Sequence, residues 1–486
     1  MSGLKNLTLI IILIVSIGIG SSQLSRGHEW GDDFAAYIMQ AKSIFSGDMQ
    51  NFVEHNSITI HQSSAQIGPV AYPWGYPLIL LPVYAYAAEA ISPLALKLPG
   101  LFFFAGFLIC IYVLTKGRLT RSESLLFVSL FAFNPLLLNF LDQILSDIPF
   151  LFFSTLALLL MMKEKPDSTL NATLLGAVIA FAFFIRTTGI LLLASFLVVE
   201  FFKIWNKKTT RESNAKTLQD AVIVCVVFGG MWIVYSLIFP GGSESYFDQL
   251  EGFSFKTALG SIDAYFKLLG LFFGTSIVWR YLHYVLFIFF LIGAWMRRKE
   301  DAALIVFFLL WMLLLVIWPI WQGPRFIFPL FPIFIYFTFQ GMRSVISKLP
   351  ADYHQSGQWI FYGFWLSIIG IFLFNSSMAA YTNLQNDRSI NGPFDLYSME
   401  VYNFVKEKTP ADSVIIFFKP RAMRLMTDRD TLMSTECERM SLGNYIVLSR
   451  KVGENQQIAP EQINACNLRL DEVLRNRRFL VYEILK

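Results

Sequence analysis

Charge is scarce in this chain. Of its 486 residues only 15% are Asp, Glu, Lys or Arg, against about 25% in an ordinary soluble domain. That composition excludes a disordered chain, which carries high charge and few apolar residues. A net charge of +4 over this length points to no nucleic-acid partner. Cysteine is equally sparse, and four residues exclude a disulfide scaffold. His28, His55 and His61 show no metal-ligand spacing and are expected at the surface. There is no internal repeat and no low-complexity stretch.

Apolar side chains are what the sequence has in excess. They make up 55% of the chain, with 48 Phe and 11 Trp, more than one water-soluble core can hide. A bilayer span takes roughly 20 apolar residues, so on the order of ten spans are expected. The chain reads as a polytopic membrane protein.

Hydrophobic runs bounded by charge predict eleven spans, at about 4–20, 94–115, 123–140, 148–162, 169–185, 188–204, 219–239, 278–296, 302–320, 326–342 and 358–380. The first, with one Lys before it and no clear small-residue cleavage site after Gly20-Ser21-Ser22, reads as a signal anchor. Segments at about 75–92 and 254–275 are less apolar. The first contains Pro77, Pro82 and Glu89 and reads as an interfacial helix. The second contains Lys256, Asp263 and Lys267 and reads as an amphipathic surface helix.

If neither crosses, the basic residues fall on one side. These are Lys116, Arg118 and Arg121; Lys163 and Lys165; Lys203, Lys207, Lys208, Arg211 and Lys216; Arg297, Arg298 and Lys299; and Arg343 and Lys348. The other side keeps little beyond Arg186, Arg280 and Arg325. The first outer loop, about 21–93, and the tail from about 383 then lie outside the cytosol.

That tail is a different kind of sequence. A helix-like stretch holding Leu396, Met399, Val401, Tyr402, Phe404 and Val405 precedes strand-like runs at 413–418, 445–448 and 479–484. The expected fold class is mainly α, a transmembrane helical bundle over residues 1–382. A small extracytoplasmic α/β domain follows over 383–486. Cys437 and Cys466 can pair if the tail is outside the cytosol, while Cys110 and Cys225 read as small core residues.

The polar residues of the outer side carry the chemistry. Asp32 and Asp33 follow the first span directly, and adjacent carboxylates repel unless a cation or a proton role stabilises one. Ser146-Asp147 lies at the same side, with Asp142 before it, as do Arg186 and Arg325. Lys256, Lys267 and Arg280 are placed near them. Arg forks suit phosphate oxygens, and a carboxylate suits removal of a proton from a hydroxyl. A lipid-linked phosphosugar needs both. Taken singly, each group has a plainer reading. Asp32 or Asp33 can cap the helix beginning near Phe34, Asp147 can cap the fourth span, and the arginines can anchor span ends at headgroups.

Asp32-Asp33, Ala36-Tyr37, Gln40-Ala41 and Ser46-Gly47-Asp48 are followed by Tyr72-Pro73-Trp74-Gly75-Tyr76-Pro77-Leu78. This pattern resembles the first-loop signature of GT-C membrane glycosyltransferases, in particular bacterial relatives of protein O-mannosyltransferases and aminoarabinose transferases. Ser146-Asp147, Arg186-Thr187-Thr188-Gly189-Ile190 and Gly323-Pro324-Arg325-Phe326 match the same pattern, so the resemblance runs to about residue 345. Trp74 departs from it, standing where a second Pro is common.

The resemblance implies transfer of a sugar from a polyprenyl-phosphate donor to a lipid, glycan or protein acceptor on the outer side, generally with inversion. It implies a base at Asp32 or Asp33, with the other and Asp147 orienting the acceptor or holding a divalent cation. Arg186 and Arg325, with Lys267 and Arg280, would hold the donor phosphate. Tyr72, Pro73, Tyr76 and Pro77 would form the first-loop turn. Two other classes are a transporter or flippase of lipid-linked sugars, and a scaffold displaying the tail. Ion-coupled transporters keep ionisable groups near mid-bilayer, and these spans carry almost none away from their ends.

Overall fold

A computed structural model describes residues 2–65, 67–86, 91–163, 169–205, 211–241, 253–319, 321, 323–451, 456–458, 463 and 465–485. Glu89, Lys165, Lys207 and Lys208 lie outside the described residues.

Long apolar helices form most of the molecule. Six are long and apolar enough to cross a membrane: Pro93–Thr115, Thr187–Trp205, Asn214–Ile238, Ile277–Arg297, Pro324–Ser347 and Ala351–Gln385. Shorter apolar helices cover Leu7–Gln23, Gly75–Tyr86, Asp147–Met161, Thr169–Ile185 and Ala302–Ile317. Helices thus stand at every expected span, but the one expected over 123–140 is broken. It consists of Arg121–Ala132 and Pro135–Phe140. Pro135 has no N–H to continue the helical ladder, and the Asn134 side chain instead accepts from the amides of Leu136 and Leu137 to start a new helix.

The helices pack through small residues. A Cβ on Gly293 would meet the Phe337 carbonyl oxygen at 1.9 Å, and one on Gly341 would meet that of Phe289 at 1.9 Å. Helices Ile277–Arg297 and Phe331–Ser347 therefore touch backbone to backbone. Cys110 is buried as expected, whereas Cys225 is exposed. It sits on the Arg211–Ile238 helix, whose apolar window is only 6% buried by protein.

The basic loops meet in space. Arg118 Nε and Arg297 Nε donate to opposite oxygens of the fully buried Asp301, at 3.2 and 2.8 Å. The Tyr336 hydroxyl joins them at 2.6 Å, and Arg343 pairs with Glu123 at 3.1 Å. Arg118 also donates to the carbonyl of Met162, just beyond the Asp147–Met161 helix. Asp147 begins that helix, so the basic network and Asp147 lie at opposite ends of it, roughly 22 Å apart at 1.5 Å per residue.

The tail folds as a five-stranded mixed sheet of β1 (Val414–Phe417), β2 (Asp430–Leu432), β3 (Tyr445–Ser449), β4 (Leu470–Arg475) and β5 (Phe479–Ile484), in the order β2-β1-β3-β5-β4. β1 pairs parallel with β2 and β3, and β5 pairs antiparallel with β3 and β4. The central strands are continuous apolar runs, as strands covered on both faces must be. The sequence shows β1, β3 and β5 and misses the two edges. β2 is three residues long, and β4 carries Asp471 and Glu472 on an exposed edge. The expected helix is found at Leu396–Lys408, and Pro420–Thr427 follows β1. Cys437 and Cys466 form a disulfide.

Candidate active site

The helix Asp33–Ser46 begins at the two carboxylates. Asp32 is its N-cap residue by position, but its side chain makes no capping bond. The two acids instead serve different partners. Asp33 Oδ2 accepts from Arg325 Nη2 at 2.6 Å, and Oδ1 accepts from the Tyr72 hydroxyl at 2.6 Å. Burial alone would raise the Asp33 pKa, but Arg325, the Tyr72 bond and Arg421 outweigh it and hold the carboxyl below its ordinary value.

Asp32 is buried, and its Oδ1 accepts from the main-chain N–H of Arg421 at 3.2 Å. Burial pushes its pKa up to about 6, against the opposing pull of Lys419 and Arg421 and with the help of Asp33. Two neighbouring acids are thus driven apart, one held as carboxylate and one poised near neutrality.

Asp147 starts its helix one residue after Ser146, so it is not the cap. It pairs with Arg186 Nη1, while Arg325 Nη1 stands 3.8 Å from its other oxygen. Both arginines lie over the Phe326 ring, with the Arg186 guanidinium 4.2 Å and the Arg325 guanidinium 5.9 Å from its centroid. Arg325 has five N–H donors, so the pairs with Asp33 and Asp147 leave donors for a further oxyanion.

The first-loop turn supports this cluster. Gln40 clamps Tyr72, donating to its carbonyl at 2.8 Å and accepting from its amide at 3.2 Å. Pro73 follows that clamp. Tyr76 and Pro77 lie buried in the first turn of the Gly75–Tyr86 helix. Tyr37 packs between Tyr72, tilted, and Tyr76, edge-on, with both ring centroids at 4.8 Å, and its hydroxyl meets the Ser146 hydroxyl at 3.1 Å. Trp74, the departure from the pattern, is buried and donates from Nε1 to the Pro240 carbonyl at 3.0 Å.

A cavity of about 460 Å³ opens at Asp32 and Asp33, with Trp30, Arg325, Lys419 and Met433 among its lining residues. Lys267 and Arg280 do not line it. Lys267 pairs with Asp263 on its own helix at 2.5 Å, and Arg280 is exposed near the start of Ile277–Arg297. Of the histidines, His28 is buried rather than at the surface. Its Nε2 accepts from the Ile144 amide at 3.0 Å and its Nδ1 meets the Glu29 carbonyl at 2.7 Å. Burial lowers its pKa to about 4, which favours the neutral ring, and His28 is among the residues that line the cavity.

The residues present do not suit a divalent cation. Among the described residues no three His, Cys, Asp or Glu side chains converge, and Arg325 already neutralises Asp33.

Three participants escape the sequence reading. Lys97 is fully buried and donates to Asp142 at 2.6 Å and to the Gly27 carbonyl at 2.6 Å, tying the first loop to the segment before Asp147. Lys419 and Arg421 come from the tail. The available signal was Lys419-Pro420-Arg421 directly after a parallel strand, where open α/β sheets place functional groups.

Residues 84–233 match the family model described as dolichyl-phosphate-mannose-protein mannosyltransferase. No curated protein matches the sequence significantly. Among solved structures, ArnT from Cupriavidus metallidurans bound to undecaprenyl phosphate is similar at a TM-score of 0.62 and 13% identity, over 98% of each chain. The oligosaccharyltransferase AglB from Archaeoglobus fulgidus, in complex with an inhibitory peptide and a dolichol-phosphate, gives 0.58 at 12% identity, covering 91% of this chain and 69% of that one. The arabinofuranosyltransferase AftD from Mycobacteria gives 0.55 at 12% identity, over 98% of this chain and 41% of that one. The family match begins beyond the first-loop residues 32–78 and takes in Ser146-Asp147 and Arg186-Thr187-Thr188-Gly189-Ile190, and the likeness to the solved structures is one of fold.

Proposed function

We propose that this chain is a membrane glycosyltransferase that moves a sugar from a polyprenyl-phosphate donor to an acceptor hydroxyl outside the cytosol. The observation that carries the reading is the division of labour at the cavity. Asp32, with its pKa raised to about 6, lines the cavity with Asp33 and Arg325, and Arg325 bridges Asp33 to the Asp147–Arg186 pair behind it. The family match over 84–233 and the fold shared with proteins bound to polyprenyl phosphates support the same donor class.

In this reading Asp32 is the base. It takes the acceptor proton as the acceptor oxygen bonds to the anomeric carbon. The carbon–oxygen bond to phosphate breaks, and its electron pair leaves with the lipid phosphate. Attack from the face opposite the phosphate inverts that carbon. Arg325 and Arg186 hold the phosphate where negative charge develops, which is where fixed donors stabilise a transition state most. Asp33 and Asp147 keep the two guanidiniums in place. Lys267 and Arg280, outside the cavity, are assigned at most to headgroup contact on the same side.

Eleven crossings, with the basic network in the cytosol, put the cavity and tail outside. Residues 1–382 then form the membrane domain and 383–486 the outer domain. The test is transfer from a radiolabelled polyprenyl-phosphate sugar in membranes containing the full chain, with Asp32→Asn as control. Label reaching an acceptor only with the unaltered chain supports the reading. Equal transfer by both removes the base assignment, and no transfer by either removes the activity.

A further inference from the structure

The tail packs its Pro420–Thr427 helix against the Asp33–Ser46 helix, and one tail residue reaches both carboxylates. Arg421 is fully buried. Its main-chain N–H donates to Asp32 Oδ1 at 3.2 Å. Its guanidinium donates to the Pro69 carbonyl and, at 3.4 Å, to the hydroxyl of Tyr72. That hydroxyl in turn donates to Asp33 Oδ1. The guanidinium lies 5.3 Å from the Tyr72 ring centroid. Among the described residues no carboxylate accepts directly from this buried guanidinium, a costly arrangement to keep for packing alone. Lys419, two residues earlier, lines the cavity with Asp32.

We propose that the C-terminal domain completes the active site, with Arg421 as a positioning residue for Asp32 and Asp33 and Lys419 as the cation that faces Asp32 across the cavity. This rests on the glycosyltransferase reading and extends it. The tail is then a wall of the reaction chamber, and the two carboxylates are correctly aimed only while it is docked. The sign of the Lys419 effect follows from charge, because a cation beside Asp32 favours its carboxylate form.

The experiment uses the full chain in membranes with the radiolabelled donor, comparing Arg421→Met, Arg421→Lys and Lys419→Met over a pH series. Arg421→Met keeps the main-chain N–H on Asp32 but removes the guanidinium that holds Tyr72 and, through it, Asp33. It is expected to lower kcat at least tenfold, with less than a twofold change in KM for the donor and partial recovery in Arg421→Lys. Lys419→Met is expected to shift the acidic limb of the pH profile upward, because Asp32 loses a nearby cation. A purely structural role would not move that limb. Should Arg421→Met fail to insert, Lys419→Met decides alone. An unmoved acidic limb there, or an unchanged kcat in a well-inserted Arg421→Met, overturns the proposal. Activity in the unaltered chain and its loss in Asp32→Asn report separately on the glycosyltransferase reading.

Discussion

Arg325 donates to Asp33 across 2.6 Å, joining residues 292 positions apart. The bond ties the start of the first-loop helix to the turn that opens the Pro324–Ser347 helix, and with the Tyr72 bond it favours the carboxylate form of the acid it touches. Asp33 cannot easily act as a base while Arg325 and Tyr72 stabilise its charge.

Arg325→Ala is therefore expected to raise KM for the polyprenyl-phosphate donor about tenfold or more, a loss of roughly 1.4 kcal/mol, with a smaller effect on acceptor use. Arg325→Lys keeps the charge but loses the planar fork and should fall between. Donor titrations in membranes measure both. An unchanged donor dependence would make Arg325 a headgroup anchor.

Asp32→Asn should lower transfer by about 10²–10⁴-fold, the usual contribution of a general base, and should also stabilise the protein. The side-chain oxygen that accepts from the Arg421 amide survives the change. The unfolded carboxyl ionises near its ordinary 3.8, whereas the folded one holds its proton to about 6. The native state thus binds more protons between those values, and the cost of ionising Asp32 grows as pH rises. It is absent below about pH 4 and complete above about pH 6, where a shift of about two units corresponds to about 3 kcal/mol. Thermal midpoints of the two proteins should coincide at pH 4 and diverge in favour of Asn at pH 7. Equal midpoints at both would mean that Asp32 carries no such burden.

Much of this site was legible because hydropathy fixes depth. Asp147, Arg186 and Arg325 each sit beside the end of an apolar run and Asp32 lies in the loop after the first, so a count of basic loops was enough to place them at one end of the bundle. Two kinds of feature were not legible. Lys97, Lys419 and Arg421 act through partners that lie tens to hundreds of residues away, and nothing local marks a lysine next to an apolar helix as buried. The break at Asn134-Pro135 was masked by the apolar residues on both sides, which read as one span although the backbone cannot continue through the proline. β4 was hidden by its charge, since an edge strand need not be apolar.

Lys97 provides a test of how the first loop is held. Its ammonium is surrounded by Asp142, Ser25 and the Gly27 carbonyl. Lys97→Met leaves Asp142 without its cation in a largely buried position, an imbalance that costs about 3–5 kcal/mol. Adding Asp142→Asn removes the orphaned charge while keeping an acceptor for the Ser25 N–H and hydroxyl, and should recover much of that loss. Thermal midpoints of the single and double variants measure this. A single variant as stable as the parent would show that solvent or a rearranged loop already balances Asp142.

The disulfide tests the sidedness on which the mechanism depends. Cys437 and Cys466 are 29 residues apart, and closing a loop of that size is worth about 3–4 kcal/mol in the chain-entropy view. The bridged segment is docked next to the cavity. Arg439 donates to the carbonyls of Gln62 and Ser63 at 3.1 and 2.8 Å, and Ser64 exchanges hydrogen bonds with Met433 and Thr435. Cys437→Ser should thus lower the thermal midpoint and weaken transfer while leaving insertion intact. A bond of this kind persists in an oxidising compartment and is reduced in the cytosol. Thiol labelling in intact cells, before and after reduction, should show two cysteines protected and then released, while Cys110 and Cys225 behave alike in both samples. Free thiols at both Cys437 and Cys466 before reduction would put the tail in the cytosol, and Asp32, bonded to Arg421 of that tail, would go with it.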